Sequence, residues 1–264
     1  MFKTISLKID KRGVGTLKLN RPEKHNALSS TMINELAEVT EIINNENALR
    51  VVVLRGEGPS FCAGADLKWM QEQMEASANQ RGLEAQKLAN MLGGLNSLQK
   101  PLIGLVHGNI FGGGVGLACV CDVVVALDDS KFGFTETRLG LIPATIGPYV
   151  IRRMTEAKAR TVFMSSRVFG ANEAKDLNIA HRITKDELRE KSLNVEVLPY
   201  LDCVPYAVEK AKELALRLGG VPSKEEIGYS VSMLVRQWES EEAKKGIKSF
   251  FEKKLLHRGL KIRN

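Results

Sequence analysis

Three consecutive glycines, Gly112–Gly114, interrupt the apolar stretch GNIFGGGVGLACVCD. Glycine weakens any helix or strand that it interrupts, because it has no side chain to pack and more backbone freedom to lose. The missing side chain also lets a main-chain N–H group come close to a ligand. The run therefore predicts a turn at which the backbone itself faces a bound group.

The spacing around the glycine run excludes two nucleotide-binding motifs. Counting GxGxxG from Gly112 or Gly114 places Leu117 or Cys119 at the last glycine position, and no GK[ST] of a Walker A motif follows. A glycine turn that opens a helix and offers an amide N–H to an anionic oxygen remains. An oxyanion hole needs a second donor. The small-residue stretch SFCAGADLKWM, residues 60–70, is the candidate for it.

The first 150 residues alternate predicted strands with predicted helices. The stretches VGTLKLN, LRVVVLRG, PLIGLVHG and CDVVVALDD are typical of strands, and SSTMINELAEVTEIINNE has the polar start and apolar spacing of a helix. Residues 76–98 predict a helix that breaks near Gly93 and Gly94. This alternation is typical of an α/β domain with a largely buried sheet, and after Glu156 the pattern becomes mainly helical.

Composition and charge narrow the class of protein. The longest apolar runs are far shorter than the roughly 20 residues of a membrane helix, and MFKTISLKID lacks the apolar block of a signal peptide, so we expect a cytoplasmic protein. The net charge of +7 favours a polyanionic partner, either nucleic acid, an acidic surface or a phosphate-rich small molecule. Aromatic residues make up only 6%, which leaves few platforms for base stacking. The four cysteines and four histidines lack metal-ligand spacing, so no metal site is expected.

Several motifs in a fixed order carry a family resemblance. They are LNRPEKHNAL, SFCAGADL, HGNIFGGGVGLACVCDVVVA, KFGFTETRLGLIP and SFFEKK. This series resembles the enoyl-CoA hydratase/isomerase (crotonase) superfamily over essentially the whole chain. The resemblance implies an α/β crotonase fold, with a spiral of ββα units over residues 1–195 and a helical region over 196–264. It also implies a homo-trimer or a hexamer formed by two trimers.

The resemblance assigns the chemistry to three residues. The N–H groups of Ala65 and Gly113 would hold a thioester oxygen, and Glu136 in FTETRLG would transfer protons. Phenylalanines and leucine surround Glu136 in the sequence, and such an environment is expected to raise its pKa toward neutrality. Hydratases of the family usually have a second glutamate, at the position of Gly116 here. We therefore expect Gly116 to leave space there and one carboxylate to serve alone.

The resemblance also implies how an acyl-CoA substrate is held. The residues expected to line the coenzyme A path are Lys24, Ala27, Leu28, Ala63, Asp66, Leu67, Gly116 and, on the last helix, Lys253. Coenzyme A enters as part of the substrate, so no separate cofactor is expected.

The combination of GGGVGL with LGLIPATIGPYV resembles the bacterial methylglutaconyl-CoA hydratase subgroup. The predicted reaction is addition of water across the 2,3 double bond of 3-methylglutaconyl-CoA, or of a related branched glutaconyl-CoA, in leucine or isoprenoid catabolism. Such substrates carry a distal carboxylate, for which Arg138 and Lys68 are candidate partners. Two alternatives stay open: a Δ3-Δ2-enoyl-CoA isomerase, which needs one glutamate and the same amides, and an RNA-binding protein, suggested by the basic charge.

Overall fold

The computed structural model describes residues 2–252 of the chain, so the predicted coenzyme A contact Lys253 lies outside the described residues. The strands are β1 (Ile5–Ile9), β2 (Val14–Leu19), β3 (Val51–Gly56), β4 (Leu102–Val106), β5 (Asn109–Phe111), β6 (Val123–Leu127), β7 (Lys131–Gly133), β8 (Val168–Gly170) and β9 (Arg182–Thr184).

The α-helices are α1 (Ser30–Asn45), α2 (Leu67–Glu75), α3 (Ala78–Asn96), α4 (Gly113–Cys119), α5 (Gly147–Met154), α6 (Glu156–Phe163), α7 (Ala171–Asp176), α8 (Arg189–Leu201), α9 (Pro205–Gly219), α10 (Lys224–Glu239) and α11 (Glu241–Phe251). Short 3-10 helices cover Pro22–Lys24, Glu136–Leu139 and Asp186–Leu188. None of the helices within residues 2–252 combines the length and the hydrophobicity needed to cross a bilayer.

Two sheets of mixed direction organise the fold. The larger sheet has the strand order β1-β2-β3-β4-β6-β9, in which β1 and β2 are antiparallel and all other neighbours are parallel. The smaller sheet has the order β5-β7-β8. Parallel strands need crossover connections, and the helices between them cover the sheet, which explains why β4 is buried along its whole length. The predicted α/β class with a helical C-terminal region is confirmed.

Helix α8 belongs to the sheet-bearing part of the chain. Its buried residues Leu193 and Val197 pack against β3 and β4 through Val53 and Ile103. The predicted division between residues 195 and 196 therefore falls inside a single helix. A domain boundary is expected where few contacts join the two parts of the chain. Helix α8 packs on the sheet both before residue 195, through Leu193, and after it, through Val197.

Two further expectations differ from the structure. The pair Gly93 and Gly94 does not break α3, because at Gly94 the helix packs closely on α1, where an added Cβ would lie 3.3 Å from the Thr40 side chain. The region after Glu156 is mainly helical, but it also contributes β8 and β9. These strands have three residues each, too few to show an alternating pattern.

The C-terminal helices α10 and α11 hold the segment that follows β7. Gln237 in α10 donates a hydrogen bond to the carbonyl oxygen of Gly140 at 2.6 Å. In α11, Gly246 lies so close to the Leu139 carbonyl that an added Cβ would collide with it. Because the 3-10 helix Glu136–Leu139 lies under α11, these helices fix the position of Glu136.

Two glycine-to-alanine substitutions test this packing. Gly246→Ala is expected to lower the free energy of unfolding by roughly 1 to 3 kcal/mol through overpacking. The matched control is Gly228→Ala in α10, where no described atom lies within 4 Å of the added Cβ. That control is expected to be neutral or to stabilise by up to about 1 kcal/mol through helix propensity. Urea unfolding of both variants measures the difference, and equal values would show that α11 does not pack tightly here.

Candidate active site

The segment Ala63–Asp66 is held by main-chain hydrogen bonds along His25–Leu28. The N–H of Leu28 donates to the Gly64 oxygen at 2.8 Å, and the N–H of Asp66 donates to the Leu28 oxygen at 3.0 Å. These two bonds form a parallel bridge between Leu28 and Ala65. The position of the Ala65 amide is therefore set by backbone pairing.

A second bridge holds the same segment against the strand that leads to the glycine run. The N–H of Cys62 donates to the Asn109 oxygen at 3.2 Å, and the N–H of Phe111 donates to the Cys62 oxygen at 3.0 Å. The two predicted donor loops are thus neighbours that share hydrogen bonds.

The direction of the Ala65 N–H follows from peptide geometry. In a trans peptide, the C=O of one residue and the N–H of the next point in opposite directions, and no cis peptide is present in the described chain. The Gly64 oxygen points to Leu28, so the Ala65 N–H points away from Leu28. No acceptor among residues 2–252 receives it.

The Gly113 N–H is oriented by the same rule. The Gly112 oxygen accepts from the N–H groups of Val115 and Gly116 at 2.9 and 3.1 Å, so it points into the first turn of α4. The N–H of Gly113 therefore points out of that turn. Like the Ala65 N–H, it has no acceptor within the described part of the chain.

Ala65 and Gly113 both line one cavity of about 370 Å³. Of the residues that the sequence predicts for the site, those that line it are Leu28, Ala63, Ala65, Leu67, Gly113, Glu136 and Arg138. The remaining wall is largely apolar and includes Trp69, Ile146, Leu234 and Trp238. Leu234 and Trp238 come from α10, and no motif in the sequence pointed to them.

Among the described residues that line this cavity, Glu136 is the one with an acidic side chain. Its Oε2 atom is buried and has no hydrogen-bond partner in residues 2–252. Burial raises the pKa of Glu136 to about 7, against a smaller lowering by its own backbone N–H. The shift has the direction that the apolar neighbours in the sequence predict. A carboxyl group with this pKa can both accept and donate a proton near neutral pH.

The glycine run is explained position by position. An added Cβ at Gly113 would lie 2.6 Å from the Leu28 side chain, and one at Gly114 would collide with the Cys62 oxygen. Gly112 has a φ of +48°, and a Cβ there would lie 2.8 Å from Glu136 Oε1. Gly112 therefore makes room for the carboxylate, a role that the sequence analysis did not assign to it.

The expectation that Gly116 leaves open space is wrong. An added Cβ at Gly116 would lie 2.5 Å from Cγ2 of Ile146, so the Ile146 side chain already fills this position. Gly116 is buried in α4 and does not line the cavity among the described residues. The sequence could not indicate this, because Ile146 approaches from 30 residues further along the chain.

Three other predicted contacts lie away from the cavity. Lys24 is exposed at the end of a 3-10 helix, and Ala27 is buried with its carbonyl oxygen bonded to Arg21. The Asp66 side chain is also buried, and its carboxylate pairs with Arg21 at 2.9 Å. None of the three belongs to the described cavity lining, so their predicted contacts with coenzyme A remain predictions.

Comparison with known proteins identifies the family. The family model "Enoyl-CoA hydratase/isomerase" matches residues 10–257. The chain belongs to the enoyl-CoA hydratase/isomerase family. A Thermus thermophilus protein, provisionally named an enoyl-CoA hydratase, is 31% identical over 253 residues, which are 94% of this chain and 98% of that protein.

Solved structures of the family share the fold. An enoyl-CoA hydratase from Shewanella pealeana is 33% identical with a TM-score of 0.80, over 97% of this chain and 96% of that one. An enoyl-CoA hydratase from Mycobacterium smegmatis is 27% identical with a TM-score of 0.79, over 95% and 97%. The predicted crotonase fold is confirmed, and the homologues of this hydratase/isomerase family indicate an enoyl-CoA hydratase, a lyase.

Gly112→Ala is expected to impair this enzyme through two effects. The positive φ costs about 1 to 3 kcal/mol for a residue with a side chain, and the added methyl displaces the Glu136 carboxylate. We expect at least a roughly tenfold loss of kcat, on the scale of general acid–base catalysis. Gly170→Ala is the control, because its φ is negative and no described atom lies within 4 Å of the added Cβ. Full activity of Gly112→Ala in a steady-state assay would contradict the geometry.

The raised pKa of Glu136 makes the free energy of unfolding depend on pH. The folded state binds the proton more tightly than the unfolded state, so this stabilisation is complete below the ordinary value of 4.5 and is lost as pH rises through about 7. A shift of this size corresponds to on the order of 3 kcal/mol. Glu136→Gln stays neutral, so its stability relative to wild type should increase between pH 5 and 8.

Urea unfolding at both pH values measures this linkage. Glu38→Gln, on the exposed face of α1, is the control and should follow the wild-type profile. Parallel profiles for wild type and Glu136→Gln would show that the carboxyl group is not protonated by burial.

Proposed function

We propose that this cavity binds the acyl end of an enoyl-CoA thioester and adds water across its 2,3 double bond. The observation that supports the proposal is that one cavity is lined by two residues whose main-chain N–H groups have no acceptor within residues 2–252 and by Glu136, whose Oε2 atom is buried. The N–H groups of Ala65 and Gly113 would donate hydrogen bonds to the thioester oxygen. Each donor in such a pair typically contributes about 3 to 4 kcal/mol to stabilising the developing enolate.

Glu136 supplies the proton transfers in this proposal. Its carboxylate takes a proton from a water molecule, whose oxygen forms the new bond to carbon 3 of the acyl group. The electrons of the double bond move toward carbon 2 and the thioester oxygen, where the two amides stabilise the charge. Glu136 then returns the proton to carbon 2, so the substrate gains one water molecule and the enzyme is unchanged. These steps use the chain's own groups, and we expect them to need no metal or separate cofactor.

Isomerisation is the second candidate, and the Gly116–Ile146 contact favours it. Ile146 fills the place of a side chain at residue 116, which is the position of the second glutamate in the hydratases that this chain resembles. One carboxyl group is sufficient to remove a proton from carbon 2 of a Δ3-enoyl-CoA and return it to carbon 4. The hydratase proposal is the better supported of the two, because the homologues named above are hydratases.

For the acyl group we propose 3-methylglutaconyl-CoA or a related branched glutaconyl-CoA. Arg138 lines the cavity, and none of the ion pairs within residues 2–252 includes it. Its guanidinium is therefore available for a distal carboxylate. Lys68, the other candidate, is 84% exposed and pairs with Glu72 outside the cavity lining.

We also propose that the protein works as a cytoplasmic homo-trimer or hexamer. Helix α9 has no buried residue in the described chain, and its Leu214 and Leu218 are 58% and 79% exposed. Apolar side chains at helical spacing on one face are typical of an interface between copies. Light scattering would test this, since a monomer mass would reject it.

Glu136→Gln is expected to lower the rate of hydration by about two powers of ten or more, because general acid–base catalysis is lost. Mass spectrometry of the product distinguishes the two candidate reactions, since hydration adds the mass of water and isomerisation adds nothing. The affinity for coenzyme A should not change, which serves as the control for folding. An unchanged rate would remove Glu136 from the mechanism. In a separate test, loss of activity when the wild-type enzyme is treated with EDTA would contradict catalysis without a metal.

The acyl preference is tested with paired enoyl-CoA esters that either carry or lack a distal carboxylate. Arg138→Ala should raise KM for the carboxylate ester by roughly tenfold or more, as a charge-assisted hydrogen bond contributes about 1.5 to 3 kcal/mol. KM for crotonyl-CoA should change little. Lys68→Ala is the matched control and should leave both values unchanged. Equal effects of Arg138→Ala on the two esters would contradict the proposed substrate class.

A further inference from the structure

The Arg21 guanidinium connects the two segments that form the Leu28–Ala65 bridge. Its Nη1 donates to the carbonyl oxygen of Ala27 at 2.8 Å, and its Nη2 donates to Oδ2 of Asp66 at 2.9 Å. The Arg21 side chain is 17% exposed and that of Asp66 is 9% exposed. This is therefore a largely buried ion pair with defined geometry.

The Asp66 carboxylate is fully engaged. Oδ1 accepts from the N–H groups of Lys68 and Trp69 at 2.9 and 3.2 Å and so caps α2, while Oδ2 accepts from Arg21. Burial acts to raise the pKa of Asp66, but the hydrogen bond from Arg21 and those from the two amides outweigh it and hold the pKa below its ordinary value. The pair is thus charged at neutral pH.

Arg21 is itself fixed by its neighbours. Its N–H donates to Oδ1 of Asn26 at 2.8 Å, and its carbonyl oxygen accepts from the N–H of Asn26 at 3.0 Å. The Asn26 side chain in turn donates to the carbonyl oxygens of Glu57 and Ser60, both at 2.8 Å. The main chain of Arg21 is therefore held at a set position relative to Glu57 and Ser60.

We infer that Arg21 is a positioning residue for the Ala65 amide and acts through Asp66. Ala65 lies directly between Gly64 and Asp66, the two residues of its loop that bond to Leu28. Arg21 ties the Leu28 segment through Ala27 and the Ala65 segment through the Asp66 carboxylate. The bond from the Leu28 N–H to the Gly64 oxygen holds the Gly64–Ala65 peptide plane, and Arg21 keeps the two segments that share this bond together.

The expected consequence is a selective effect on turnover. Neither Arg21 nor Asp66 lines the described cavity, so we expect both to affect turnover through the position of other groups. A displacement of about 1 Å in a catalytic group can cost about a hundredfold in rate. This inference rests on the proposed function, because it assigns the Ala65 N–H to the thioester oxygen.

The test uses Arg21→Met and Asp66→Asn, which keeps an N-cap residue for α2. We expect kcat to fall at least tenfold in both, with KM changing less than about threefold, on the scale of a small misplacement. Arg21→Lys keeps the charge but not the two-pronged geometry, and should recover part of the lost rate.

A spectroscopic probe separates positioning from general weakening of the structure. The absorption of bound cinnamoyl-CoA, a conjugated thioester, moves to longer wavelength when its carbonyl oxygen is polarised. In the Glu136→Gln background, which slows turnover, this shift should be smaller after Arg21→Met or Asp66→Asn. A full shift, or an unchanged kcat in the enzyme with Glu136, would overturn the inference.

Lys212→Met is the matched control. Lys212 is 9% exposed and pairs with Asp122 at 2.7 Å, at the opposite end of the parallel strands from the donor loops. The Lys212→Met variant should lower the melting temperature about as much as Arg21→Met does, while kcat and the spectral shift stay unchanged. If Lys212→Met reduced kcat and the spectral shift to a comparable extent, the inference would be overturned. A wild-type protein that neither hydrates enoyl-CoA nor polarises the probe rejects the proposed function and the inference with it. Wild-type activity that both variants retain rejects the inference alone.

Discussion

The close approach of the glycine run to the Cys62–Gly64 segment is the contact on which the rest of the site depends. At Gly114 the two backbones are so near that no side chain fits between them. Because the contact is between main chains, hydrogen bonds at Cys62 and Gly64 can fix the peptide planes on both sides of it. The orientation of the Ala65 N–H follows from the Gly64–Ala65 plane, and that of the Gly113 N–H follows from the Gly112 oxygen in the first turn of α4.

The same glycine run also determines where the Glu136 carboxyl group can lie. Gly112 leaves a place for Glu136 Oε1, and the apolar wall around it raises the pKa to about 7. Such a group costs stability when it ionises, and the surrounding packing has to compensate for it. Phe132 and Phe134, which precede Glu136 in the chain, are fully buried. Reactivity and instability at Glu136 therefore have a single origin.

The sequence was sufficient to predict the α/β class and the family, and it placed Ala65, Gly113 and Glu136 on what proves to be one cavity. Local patterns carry these features, since each motif is a short turn or a strand end. The remaining features depend on contacts between distant residues. Ile146 beside Gly116, and Arg21 beside Asp66, have no local signature, and the three-residue strands β8 and β9 are too short to show a period.

Helix α10 reaches the site from the far end of the chain, and this has a consequence for how the enzyme can diversify. The groups assigned to the chemistry lie within residues 62–136, whereas Leu234 and Trp238 form part of the wall that the acyl group would meet. A change in the size of these two side chains alters the room for the substrate and leaves the amides and the carboxyl group in place. The fold thus places one part of the wall that limits the size of the acyl group on a stretch of sequence separate from the catalytic groups, and that part can change independently of them.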